Sequence, residues 1–128
     1  MNARPTPTLR YAAFTHQGKP FRRNQDAILV AGRVLQTADF AHVSLPLDRM
    51  RRFAVSDGVS GHPQPAAASR LLLKNLLALD TSYPKLSPPW RVEKLQDRLN
   101  RDVDRYPQME DAATTLVTAE VTVDAIRL

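Results

Sequence analysis

Residues 53–69 read FAVSDGVSGHPQPAAAS, and the fold turns on how the chain changes character within them. Phe53 and Val55, with Ala54 between, close an apolar strand RRFAVS that begins at Arg51. An Asp-Gly pair after a strand usually marks a hairpin. No second strand follows Asp57-Gly58. The loop 59–63 runs instead into AAASRLLLKNLLAL, residues 66–79, where Leu72, Leu73, Leu76 and Leu79 share one helical face. Arg70 and Lys74 fall off that face, and Pro65 suits a first helical turn. Asp57 therefore stands at a strand end, in a glycine-bearing loop before a helix. That is where a carboxylate can hold a ligand at a sheet edge, and glycine lets a ligand approach the backbone closely.

Working outward, LRYAAFT (residues 9–15) and QDAILVAG (25–32) read as strands, with Gly18 and Pro20 marking a turn between them. Residues 1–8, with Pro5 and Pro7, are expected as a mobile tail. Between 33 and 50 the signal is weaker, and FAHVSL (40–45) reads as a short strand followed by a loop at Pro46. Downstream, the proline-rich DTSYPKLSPP (80–89) connects to WRVEKLQDRLNRDVDRY (90–106). There Val92, Leu95, Leu99, Val103 and Tyr106 repeat at helical spacing, and that face needs an apolar partner, most simply a sheet. Asp97 and Arg101 are spaced as a helical ion pair. TTLVTAEVTV (114–123) reads as one long strand or two with a bend. Apart from the weak 40–45 segment, three strands, two helices and a strand make an α+β domain over residues 9–128, with antiparallel pairing and helices on one face.

Composition narrows the chemistry. The 128 residues carry a net charge of +5 and no cysteine. Disulfides, zinc–thiolate sites and thiol nucleophiles are excluded, and a cytoplasmic setting is expected. No stretch approaches the roughly 18 apolar residues of a membrane span, and MNARPTPTLR lacks a signal-peptide core. The arginines are scattered, with doublets at Arg22-Arg23 and Arg51-Arg52, and read as solvated surface. Without a basic stripe or interleaved aromatics, nucleic acid is not expected as a partner.

A second acid, Asp26, lies near the start of an apolar strand, where acids are rare unless paired or metal-bound. Asp26 and Asp57 on adjacent strands could share a divalent cation, and oxygen ligands favour Mg²⁺ or Mn²⁺. The Gly58 carbonyl could coordinate the same hard cation. His62 is a candidate general acid, a ligand or a loop filler, whereas His16 and His42 have no acidic neighbours at ligand spacing and read as structural. Ser56, Asp57 and His62 are too close together for a hydrolase triad, and there is neither a Gly-x-Ser-x-Gly elbow nor a phosphate-cradling glycine loop.

Three segments, in order, resemble the metal-dependent protein phosphatases of the protein phosphatase 2C family. GKPFRRNQDA (18–27) is similar to that family's Gly-x-x-Arg-x-x-Asn-(Glu/Gln)-Asp, FAVSDGVSGHPQPAAAS to its strand with Asp-Gly-x-Gly-Gly-His, and AATTLVTAEV (112–121) to its Gly-Thr-Thr-Leu strand. The resemblance implies an α-β-β-α sandwich with a two-metal site at one end of its sheets. Asp26 would hold one metal, Asp57 would bridge both, and Gly58 would offer its carbonyl. A metal-activated water would attack the phosphorus of a phosphoserine or phosphothreonine in a protein substrate. Phe21 stands where the family grips phosphate with arginine, and Arg22 and Arg23 beside it are the candidate phosphate-binding residues. Ser60 and Pro65 replace usual glycines, and Ala113 replaces the glycine of the third motif. The family completes its metal site with aspartates from a C-terminal half. The sandwich is therefore expected to be incomplete within these 128 residues, completed by a further half or a second chain, and poorly active alone. The competing reading is a catalytically deficient, phosphatase-like binding module.

Overall fold

The structure is a computed structural model describing residues 4–19, 22–37, 39–85 and 87–128, with only the backbone considered for 39–43. Pro20 and Phe21, residues 1–3 of the expected tail and the His42 side chain lie outside that description. The chain is an α+β fold of two antiparallel sheets and two helices. Its strands are β1 (Thr8–Thr15), β2 (Asp26–Val30), β3 (Arg33–Leu35), β4 (Asp39–Pro46), β5 (Arg51–Asp57), β6 (Val117–Val121) and β7 (Ile126–Arg127). Helices α1 (Pro65–Ser82) and α2 (Pro88–Arg105) lie between β5 and β6, followed by a 3₁₀ turn Pro107–Met109.

The larger sheet has the order β3-β2-β5-β6-β7, and β1 pairs with β4 in a separate ribbon. β3 is the strand the sequence does not announce. It is three residues long, and its hairpin turn is Ala31-Gly32, with φ of 49° and 70°. Two successive positive φ values suit a tight hairpin, but asparagine or aspartate usually marks the first position. After β6 the chain bends, Thr122 N–H donates to Ala125 O at 2.9 Å, and β7 returns beside it.

Alternation along β5 separates the two sheet faces. Arg52, Ala54 and Ser56 are buried toward α1, while Phe53, Val55 and Asp57 point the other way. Ala27, Leu29 and Ala54 form one side of the core, and Leu72, Leu73, Leu76 and Leu79 of α1 form the other. On the opposite face, the ribbon places Tyr11 edge-on to Phe53, with ring centroids 5.1 Å apart. Val55 and Val117 stay 51% and 64% exposed there, so the ribbon leaves part of this apolar face open.

The expectation that α2 lies on the sheet is corrected. Because α1 occupies the sheet face, α2 forms a further layer on α1 and the 3₁₀ turn. Of its apolar stripe only Leu95 is fully buried, while Val92 is 64% exposed. Arg101 Nε donates to the backbone oxygen of Asp97 at 3.4 Å, a contact made with the main chain and not with the carboxylate. No helix among the described residues is long and apolar enough to cross a membrane.

The solvated-surface reading of the arginines fails at Arg52. Its side chain is buried and donates to Asp80 Oδ2 at 2.5 Å and to Glu120 Oε1 at 2.8 Å. Arg91 of α2 reaches Asp80 Oδ1 at 2.5 Å. Asp80 belongs to the last turns of α1, where a negative charge opposes the helix dipole. Two guanidiniums supply the compensating charge and tie α1, α2, β5 and β6 together.

Candidate functional site

The register of β2 against β5 sets Asp26 directly across from Asp57. Cross-strand partners share a sheet face, so both carboxylates project from the side away from α1, at the end of the sheet. Like charges placed directly opposite each other are unfavourable. Burial, then a hydrogen bond with Asp57 and repulsion from its charge, push the Asp26 carboxyl above its ordinary value of 3.8. A protonated Asp26 donating to an ionised Asp57 relieves that strain, and so would a cation between them.

Each acid is held by neighbours that the motif contains. Asn24 is buried, donates from Nδ2 to Thr15 Oγ1 at 2.5 Å, and accepts the Asp26 backbone N–H on Oδ1 at 3.1 Å. Asn24 thus anchors the start of β2 to β1. Asp57 is fixed from the other side. Its carbonyl accepts from Thr115 N at 2.9 Å and Thr114 Oγ1 at 2.9 Å, and its N–H donates to Thr115 Oγ1 at 3.2 Å. The buried Ser56 hydroxyl, beside Thr114 Oγ1 at 2.7 Å, donates to Thr115 O at 2.8 Å. Segments 18–27 and 112–121, remote in sequence, are therefore each hydrogen-bonded to segment 53–69 around this acid pair.

Gly58 has a structural reason to be glycine. A Cβ there would overlap the Pro65 carbonyl oxygen and lie 2.8 Å from Gln25 O. Its N–H donates to Gln25 O at 3.1 Å. The fully buried Ser69 of α1 donates to the same oxygen at 2.6 Å and accepts from Gln36 Nε2 at 3.1 Å. Ser60 Oγ donates to Gln25 Oε1 at 2.6 Å. The loop after Asp57 is thus stitched to β2 and to the first turns of α1 through Gln25. Asn24, Gln25, Ser69, Thr114 and Thr115 are the positioning residues that sequence reasoning did not assign. The signal available for them was proximity to Asp26 and membership of the three segments.

His62 is exposed, and its Nδ1 lies 2.9 Å from Asp111 O. A carbonyl only accepts, so Nδ1 carries a proton in this contact, and Nε2 is the ring nitrogen outside it. No hydrogen bond joins His62 to either aspartate among the described residues. Arg22 and Arg23 are exposed and line cavities whose walls include neither Asp26 nor Asp57. The acids are brought together; the histidine sits on the loop that follows them, and the arginines face elsewhere.

Among the described residues, no group of three or more His, Asp or Glu side chains converges as a metal cage. The acid pair and the Gly58 carbonyl are hard oxygen donors of the kind Mg²⁺ or Mn²⁺ takes, but too few to replace its water shell. The opposed charges are the feature that fits a divalent ion here. Compared with protein-family models, curated proteins and solved structures, the chain matches none.

Proposed function

We propose that the chain carries the acid-pair portion of a metal-dependent protein serine/threonine phosphatase of the protein phosphatase 2C type. The observation that carries this reading is the direct cross-strand opposition of Asp26 and Asp57, on one face and at one end of the sheet. The convergence of the three family-like segments on that point supports it, and the α+β layering is compatible with one half of the family's sandwich. Asp26 and Asp57, with the Gly58 carbonyl, would hold Mg²⁺ or Mn²⁺, two ions in a complete site. Such ions lower the pKa of bound water and neutralise charge on phosphoryl oxygens.

The chain's own residues have clear parts to play. Asn24 and Thr115 fix the backbones that carry the two carboxylates, so their oxygens need little reorganisation to meet a cation. Gln25 and Ser69 keep the Gly58 turn closed against α1. Of the His62 ring, Nε2 is the nitrogen left to exchange a proton with a leaving group or water. The small donor set favours further aspartates from a C-terminal half or second chain, consistent with the open apolar face around Val55 and Val117.

The same small donor set is the observation behind a second reading, a phosphatase-like binding module without activity. Calorimetry with Mn²⁺ separates the two. Millimolar binding that Asp57→Asn abolishes supports the phosphatase reading; no binding at millimolar Mn²⁺ supports the second. Robust Mn²⁺-dependent hydrolysis of a phosphopeptide by this chain alone, lost in Asp57→Asn, would overturn the idea that further ligands are needed.

A further inference from the structure

Arg22 and Arg23 line two adjoining cavities of about 360 and 580 Å³ beside the start of α1. Arg70, one α1 face further on, lines the larger of them. Among the described residues no aspartate or glutamate lines either cavity, and none of the three arginines makes an ion pair. Three guanidiniums around one concavity repel one another, and each presents a fork of donors with no carboxylate to meet. Gln64 and Ala66 form the wall shared by the two cavities, at the end of α1 where the first turn holds no acid. The helix field there has the same sign as the arginines and adds to theirs.

We propose that this cleft is a second anion site, separate from the acid pair, that binds a phosphoryl group carried by a protein. Guanidinium forks match phosphoryl oxygens in charge and in bidentate geometry. A protein ligand is favoured over nucleic acid because the three arginines gather in one concavity and do not form an extended basic stripe along which a nucleic-acid backbone could run. As an assignment of substrate class the inference rests on the phosphatase reading: the preferred substrate carries a second phosphoserine or phosphothreonine near the one hydrolysed. As an assignment of binding it does not.

The test titrates one peptide sequence bearing zero, one or two phosphoserines into the full chain with a chelator present, at fixed ionic strength. The singly phosphorylated peptide is expected to bind roughly tenfold more tightly than the unphosphorylated one, the scale of one added charge-assisted contact, with a smaller gain from the second phosphate while the metal is chelated. Asp57→Asn is expected to keep that ratio, and the double variant Arg23→Gln with Arg70→Gln to abolish it. Both arginines are exposed, and an unchanged melting temperature verifies that the variant is folded. Inorganic phosphate is expected to compete weakly, which distinguishes the tethered phosphoryl group from the free ion as the better ligand. Equal affinities for zero and one phosphate, a preference that survives the arginine double variant, or a single-stranded oligonucleotide that binds more tightly with the same arginine dependence would overturn the proposal. Absence of Mn²⁺ binding at millimolar metal, measured without chelator, with the phosphopeptide preference intact would defeat only the phosphatase reading.

Discussion

Strand β5 carries a charge near each end, and the two are treated in opposite ways. Arg52 is buried and faces two carboxylates, with Asp80 shared between it and Arg91. Asp57 faces another acid, Asp26, and among the described residues no basic side chain makes an ion pair with either. The first arrangement is complete within the fold: opposite charges, short hydrogen bonds and ties across four elements. The second is unfavourable as it stands, though its backbone supports are as well made as those of the first. A fold that compensates charge carefully at one end and opposes like charges at the other marks the second end as a place for something from outside.

The largest effect is expected from breaking the complete end. Asp80→Asn leaves two buried guanidiniums short of charge and is expected to cost about 3–5 kcal/mol in urea unfolding. At the acid end, Gly58→Ala pushes a methyl into the Pro65 carbonyl and is expected to cost about 1–3 kcal/mol, with metal binding weakened because the loop must shift. Glu120→Gln sharpens the contrast from the first end again. Arg52 keeps Asp80, and Glu120 is partly exposed, so a loss of about 1 kcal/mol or less is expected. Asp26→Asn should have the opposite sign. Removing one of two opposed charges is expected to raise stability at neutral pH by up to about 1 kcal/mol while abolishing Mn²⁺ binding.

The smallest effect is in pH dependence. Folded Asp26 titrates above 3.8, the value it takes when unfolded. Between those two pH values the folded chain holds a proton that the unfolded chain has released. This group's contribution to stability is therefore greatest below 3.8, falls as pH rises through the interval, and is level above it. Thermal melts of the wild type should show that fall, and Asp26→Asn should lack it.

The same contrast explains what the sequence made legible. The acids announced themselves because Asp26 and Asp57 interrupt apolar strands, and a strand period of two puts both on a definite face once the register is known. The α1 face was readable from four leucines at helical spacing. Arg52 was not readable, because in an Arg51-Arg52 doublet one residue must point to each face and nothing local says which is buried. Asp80 was hidden in a proline-rich segment that looks like a connection, yet α1 runs through it to Ser82 because Arg52 and Arg91 neutralise it from outside the helix. The position of α2 was hidden for a related reason: an apolar stripe specifies that it must be covered but not by what.

The threonine clamp on Asp57 has a consequence in time. Its partners, Thr114 and Thr115, lie 57 and 58 residues further along the chain. A contact of that span closes late, after local turns and the helices between have formed. On a chain emerging from the ribosome, Asp57 could pair with β2 early but would gain its clamp only once residue 115 was free. The acid pair would then be among the last parts of the molecule to acquire its final geometry.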